Sequence, residues 1–240
     1  MSLDVLITVA ATSFIQSIFG VGVLLFGTPL LLLNGHNFIE AVAILLPISL
    51  LINLSQIAKD LGRVDLDFYK SILVYTIPFV VIFLLAVTAL TINIGIIVGI
   101  LLLFVAAKDY YHKANKVIDL FVRYEKAYFS IMGIIHGLTN LGGSLLTAIV
   151  HTKGYDKRIT RATVAASYAT FATFQILTLL VSGYVVDFNF SAIGIYMILG
   201  MTIFVITEKI VYTDITTENY RRFFAVFLFV SGVLLCVKSI

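Results

Sequence analysis

The sequence predicts an all-α polytopic integral membrane protein, built as two inverted repeats that each join a broken, re-entrant helical hairpin to three transmembrane helices. Three observations lead there. Hydrophobic residues make up 60% of the 240 residues and charged residues only 12%, with a mean hydropathy of +1.07, whereas soluble domains carry about 25% charge. Eight apolar segments fill the length and leave no stretch for a soluble domain. Two of them, Ser13–Gly35 and Ser130–Lys153, are interrupted by Gly20-Val21-Gly22 and by Asn140-Leu141-Gly142-Gly143, with Gly20 and Asn140 120 positions apart. Interrupted apolar segments at matching places in two halves mark the binding sites of membrane carriers.

Taken in order, the first segment spans Leu3–Leu33 with Asp4 as its one charge. An unbroken helix of that length would reach about 46 Å against a hydrocarbon core of about 30 Å. It therefore either tilts strongly or breaks at Gly20–Gly22 and turns back. Ala41–Ala58 follows, with Pro47, Asn53 and Gln56 inside it, then Phe68–Leu90 and Ile94–Ala107 around the turn Thr91-Ile92-Asn93. Lys108–Lys126 is the one long charged stretch. Its Val117, Leu120, Phe121 and Tyr124 recur at helical spacing, which suits an amphipathic helix at the membrane interface. The plan then repeats: Ala127–His151 interrupted, a basic loop Lys153–Arg161, and spans Ala162–Gly183, Phe188–Thr207 and Tyr220–Val237. The domain reading is a first repeat over 1–107, a cytoplasmic linker over 108–126 and a second repeat over 127–240. Gln16 then matches His136, Gly22 matches Gly142, and Ala41 falls near Ala162.

The charges favour this arrangement over eight simple crossings. Eight crossings put Lys59, Arg63 and the linker on one face, and Lys153, Lys157, Arg158, Arg161, Lys209, Arg221 and Arg222 on the other, against the positive-inside rule. With both interrupted segments re-entrant, 15 of the 16 Lys and Arg residues share a face and only Lys238 lies opposite. Both termini are then outside. Eight long tilted helices with a weak charge bias are the alternative. The net charge of +3 sets orientation in the membrane and does not indicate nucleic-acid binding. The single Cys236 excludes an internal disulfide and a Cys-based metal site. The start, without a basic region or a small-residue cleavage site, predicts no cleaved signal peptide.

Second half-helices begin just after the breaks, near Val23 and Ser144. Their first N–H groups lack intrahelical partners and carry the positive end of the helix dipole. Two such termini converging at the midplane make an anion site without a buried Arg or Lys, and no Lys or Arg lies deep in any span. Gly20, Gly22, Gly142 and Gly143 would let a substrate approach the backbone. Gln16, Asn53, Thr139, Asn140, Ser144 and Gln175 would add polar side chains. His136, the one clearly intramembrane titratable residue, is a candidate proton carrier; a neutral imidazole bonded to a neighbouring helix is the competing reading. Ser17 and Gln56 read as interhelical glue, and His36, His112 and His151 as solvated. The pairs Gly95-x-x-x-Gly99 and Gly133-x-x-x-Gly137 suit close helix packing, and the first could also serve a homodimer. No H-E-x-x-H, G-x-S-x-G or Walker A pattern and no carboxylate pair within a span is present, so the chain does not read as an enzyme, and no cofactor or metal is expected.

Ser13-x-x-x-x-x-Phe19-Gly20-x-Gly22, then Phe26-x-x-Pro29-Leu30-Leu31-Leu32-Leu33, and Asn140-x-Gly142-Gly143 at mid-chain resemble the TauE/SafE sulfite-exporter family over the whole chain. The family pattern often has a glycine triplet followed by proline; here the first break reads Gly20-Val21-Gly22-Val23 and no proline follows Gly143. The resemblance implies a secondary transporter, usually an exporter, of sulfite, sulfoacetate or other organosulfonates in a prokaryotic inner membrane. A passive anion channel and a membrane scaffold subunit docking through Lys108–Lys126 are the alternatives.

Overall fold

The computed structural model describes residues 2–60, 62–90, 93–108, 124–184, 190–211 and 217–239. Every regular element among them is helical. In chain order these are α1 (Leu3–Phe19), α2 (Val23–Leu33), α3 (Phe38–Lys59), α4 (Leu66–Tyr75), α5 (Ile77–Ala89) and α6 (Ile94–Lys108). They are followed by α7 (Glu125–Thr139), α8 (Gly143–Thr152), α9 (Lys157–Val181), α10 (Phe190–Val211) and α11 (Thr217–Lys238). Phe38–Lys59, Leu66–Ala89, Lys157–Val181 and Ser191–Lys209 are long and apolar enough to cross a membrane. The predicted interfacial helix around Val117–Phe121 lies outside the described residues.

Both interrupted segments double back. Gly20 (φ 76°) ends α1 in the left-handed conformation and its N–H donates to Gln16 O at 2.8 Å. Asn140 (φ 62°) ends α7 in the same way, donating to His136 O at 2.8 Å. After each cap the chain returns along its own helix. A Cβ on Gly22 would stand 2.6 Å from Gln16 N and 2.8 Å from Thr12 O. One on Gly142 would stand 2.5 Å from His136 Cβ and 2.9 Å from Met132 O. Only glycine permits either approach. The open ends of the hairpins are tied as well: His36, after α2, pairs at 2.7 Å with Asp4 in the first turn of α1, and Lys153, after α8, pairs with Glu125 at the start of α7. The reading of eight long tilted helices does not survive these contacts.

Helices α3 and α9 pack on each other at the centre, α1 on α10, α5 on α7, and α6 on α11. The central position shows in burial, 61% and 67% of the apolar windows of α3 and α9 against 33% and 22% for Leu66–Ala89 and Ser191–Lys209. Small residues make it feasible for α9, whose buried Ala162, Thr163, Ala165, Ala166, Ser167, Ala169 and Ala172 let other backbones come close. The predicted single span Phe68–Leu90 is kinked at Thr76, because Pro78 has no N–H to donate and its ring crowds the preceding turn. α7 fits against that kink. The Thr76 hydroxyl donates to Phe129 O at 3.1 Å, and a Cβ on Gly133 would meet Thr76 O at 2.4 Å. Gly133 and Gly137 are thus packing glycines. So is Gly99, where a Cβ would lie 2.7 Å from Cys236 Sγ and 3.0 Å from Gly232 O of α11. The Gly95-x-x-x-Gly99 face is occupied within the chain, by Ser239, Cys236 and Gly232.

Charged side chains gather at the two ends of the bundle. At one end Glu208, 7% exposed, pairs with both Lys59 and Arg161, joining α10, α3 and α9. Tyr155 donates to Asp65 there, and Asp65 N–H donates to Thr163 Oγ1 at 3.0 Å. A count of eight straight crossings would have put Lys59 and Arg161 on opposite faces. The predicted basic loop is shorter than Lys153–Arg161, since Asp156 caps α9 by accepting from the N–H groups of Arg158 and Ile159 at 2.8 Å. At the other end, Lys238 donates to the last carbonyls of α2, Leu33 O at 2.8 Å and Leu32 O at 3.3 Å, and Asn93 donates to Ser239 O.

Two expectations follow from these ends. Glu208→Gln leaves Lys59 and Arg161 facing each other without their shared anion, a change expected to cost about 3 kcal/mol. A lower thermal midpoint in detergent checks it. The second concerns His36, whose ring nitrogens face Asp4 at 2.7 Å and Glu40 at 3.0 Å. Burial opposes a charge on the ring, but the two carboxylates outweigh it and hold its pKa above the ordinary imidazole value. A raised folded-state pKa gives stability that is complete below the unfolded value and lost as pH rises through the folded one. The thermal midpoint should therefore fall from mildly acid to mildly alkaline pH, and His36→Gln should flatten that slope.

Candidate functional site

The second break assembles a buried polar chain. Asn140 is, among the described residues, the one non-glycine with positive φ, a conformation asparagine accepts more readily than most residues. That geometry directs its amide between two helices. Asn140 Nδ2 donates to Thr28 Oγ1 of α2 at 2.9 Å, and Asn140 Oδ1 accepts from Gln175 Nε2 of α9 at 3.3 Å. Gln175 Oε1 in turn accepts from His136 Nε2 at 3.1 Å. All four side chains are buried. Since Nε2 donates, Nδ1 of the neutral ring bears a lone pair, and it has no hydrogen-bond partner among the described residues. The ring lies between Gly142 and the aromatic face of α9, with centroids 4.6 Å from Phe171 and 6.4 Å from Tyr168.

Beside His136, α8 begins without a side-chain cap. The first N–H groups of any helix lack intrahelical partners and attract negative charge. Tyr168 stands over this terminus so closely that a Cβ on Gly143 would lie 1.3 Å from its Oη. The hydroxyls nearby are turned to backbone: Thr139 donates to Ile135 O at 2.6 Å and accepts from Leu141 N–H at 3.2 Å, and Ser144 donates to Leu141 O at 3.1 Å. Thr139 and Ser144 thus shape the break rather than offering free donors.

The first break has the same backbone with different chemistry. Gln16 Oε1 accepts from Val23 N–H at 2.9 Å, so a side chain of the protein itself caps α2. Gln16 Nε2 donates to Asn53 Oδ1 at 3.4 Å, and Asn53 Nδ2 to Ser49 O at 2.7 Å. Gly20 supplies a turn and touches nothing at its Cβ position, whereas Gly22 supplies the close approach. The two termini are therefore satisfied differently: the Gln16 side chain caps the first N–H of α2, whereas at the start of α8 the Ser144 and Leu145 N–H groups donate to Leu141 O and Gly142 O at 3.3 and 3.0 Å.

With this geometry in place, the whole-chain comparison is decisive: the sequence matches the family model described as Sulfite exporter TauE/SafE over residues 5–235. The chain belongs to the TauE/SafE family. Neither a curated protein nor a solved structure matches it. TauE/SafE proteins are membrane transporters and not enzymes, and the apolar helices of this member accord with a multi-pass membrane protein.

Of the residues singled out from sequence, this TauE/SafE chain brings Gln16, Gly20, Gly22 and Asn53 together at the first break. It brings His136, Thr139, Asn140, Gly142, Gly143, Ser144 and Gln175 together at the second. The Asn140–Thr28 bond connects the second break to the first hairpin. Ser17 joins α1 to α10 through Thr207 at 2.7 Å. Gln56 is buried with Oε1 unpartnered among the described residues, and His36 is ion-paired rather than free in solvent. His112 lies outside the described residues. Thr28 and Tyr168 were missed. Thr28 is the one hydroxyl in the otherwise apolar Val23–Leu33 and could have been found on that ground; Tyr168 is an aromatic in an apolar helix and gives no such signal. A cavity of about 430 Å³ lies away from the breaks, among His36, Asn37, Asn93, Lys238 and Ser239.

The Gly143–Tyr168 contact gives a paired test. Gly143→Ala alone should lower folded yield and thermal stability, as overpacking does by about 1–3 kcal/mol. Adding Tyr168→Leu should recover much of that loss, measured by size-exclusion profile and thermal midpoint.

Proposed function

We propose that this protein is a secondary transporter, working as an exporter, of small sulfur-containing anions of the sulfite and organosulfonate class. The observation that carries the reading is the buried second break, where the uncapped start of α8 stands beside His136, Asn140 and Gln175 in a TauE/SafE chain. A helix N-terminus in an apolar interior holds an anion through backbone N–H groups and dipole, without a fixed cation. Gly142 lets the terminus lie against His136 and Gly143 makes room for the Tyr168 hydroxyl over it, Asn140 and Gln175 hold its position, and His136 is the candidate proton carrier. Gln16, Gly20, Gly22 and Asn53 form the corresponding support in the first hairpin.

Alternating access would come from two inverted repeats, 1–107 and 127–240, moving against each other around the linker 108–126. Several contacts support that division. The caps at Gly20 and Asn140, and the approaches of Gly22 to Thr12 and Gln16 and of Gly142 to Met132 and His136, all recur at an offset of 120 residues. The packing of α1 on α10 is matched by that of α7 on α5. The re-entrant hairpins would enter from opposite faces of a prokaryotic plasma membrane, with the Lys59–Glu208–Arg161 end in the cytoplasm by the positive-inside rule.

Counterflow in liposomes loaded with sulfite or an organosulfonate tests the reading. Saturable exchange is expected, and flux without saturation would indicate a channel instead. Asn140→Gly keeps the left-handed turn while deleting the amide that ties α2 to α9. It should cut exchange at least about tenfold, the loss of roughly one buried hydrogen bond to a site group, with the protein still folded.

A further inference from the structure

The surroundings of His136 bear on the charge of the cargo, provided the second break is the anion site described above. Among the described residues the one buried residue with a permanent charge is Glu208, which Lys59 and Arg161 neutralise at the end of the bundle. The break itself therefore offers no fixed cation. The positive potential at the break is that of the α8 dipole, equivalent to about half an elementary charge, with the Ser144 and Leu145 N–H groups donating to Leu141 O and Gly142 O.

One group there can gain a full charge. His136 is fully buried, its Nε2 is committed to Gln175, and Nδ1 is unpartnered among the described residues. The elements packed on α7 bring little else that titrates. α5 contains no ionisable residue, and α6 none before Lys108. α8 has only His151, exposed at its far end. α4 meets α7 near Lys126 and Phe129, two or more turns from His136. α9 contributes Tyr168 at the ring.

We infer that the cargo is a monoanion carried with one proton on His136 Nδ1, so that the loaded site is electrically neutral, and that dianions are excluded. The proton comes from water on the loading side, occupies the Nδ1 lone pair while the anion sits at the α8 terminus, and returns to water on release. A dianion would leave a whole negative charge uncompensated in an apolar interior, where the cost of burial rises with the square of the charge. Sulfite would travel as hydrogensulfite, and simple alkanesulfonates would fit. Sulfate and sulfoacetate would not. Aminosulfonates would find no carboxylate at the break for their ammonium group.

Purified protein in liposomes, with sulfite, methanesulfonate and sulfate as probes, decides the matter. Methanesulfonate keeps a single charge at every working pH, and sulfate keeps two. The expected result is uptake of sulfite and methanesulfonate driven by a pH gradient, unmoved by a potassium diffusion potential of either sign, with sulfate at least about tenfold slower, one charge-selection step of tenfold or more. His136→Gln, which retains a neutral side chain of similar reach, should lose the response to the pH gradient. Sulfate carried as fast as methanesulfonate, or carried anions responding to the imposed potential in the wild type, would overturn the inference while leaving anion transport intact. Failure of all three anions to cross would overturn the transport reading itself, and this inference with it.

Discussion

A polypeptide that breaks a helix inside an apolar layer must satisfy the backbone groups it exposes, and the rest of this structure depends on how that is done. Non-helical backbone is tolerated at such depth only when it is buried in protein or lines a water-filled cavity. Here each break is buried against its own preceding helix. A left-handed cap returns one N–H to the carbonyl four residues earlier, and a glycine two residues later lies on the backbone it has just left. The approach is closer than any Cβ allows, so Gly22 and Gly142 fix the hairpins by contact rather than by flexibility. Once the hairpins exist, α3 and α9 can occupy the centre and present Asn53 and Gln175 to them.

The two hairpins share this backbone solution but differ in chemistry. In the first, an amide at Gln16 reaches the start of α2 and closes it. In the second, the equivalent position is His136, whose ring turns to Gln175 and leaves α8 uncapped. One hairpin thus closes its second helix with a side chain, and the other with backbone carbonyls. The difference between the two hairpins is physical: a Gln side chain is long and flexible enough to cap the helix beside it, and an imidazole held between Gly142 and Phe171 is not.

Much of this was legible in the sequence, for reasons that can be named. Long apolar runs disclose spans, and glycine clusters inside them disclose breaks, because each residue type acts locally. The positive-inside count correctly put Lys59 and Arg161 at one end, since charge is additive along a chain and insensitive to packing. What escaped depends on contacts between distant elements. The kink at Thr76 needs Pro78 and also α7 pressed against it through Gly133. The roles of Thr28 and Tyr168 need α2 and α9 brought to the second break, and nothing in their immediate neighbours announces it. The Gly95-x-x-x-Gly99 motif shows the converse, since the pattern reveals a packing face but not whether the partner is α11 or another molecule.

The run of Ala, Ser and Thr along α9 has one more consequence. Ridges made of such short side chains are low, so the bulk at the centre of the bundle comes from the buried Ile44, Leu45, Leu46, Ile48 and Ile52 of α3. The centre of the bundle, its most buried part, is thereby assembled from unequal halves, bulky on the α3 side and small on the α9 side.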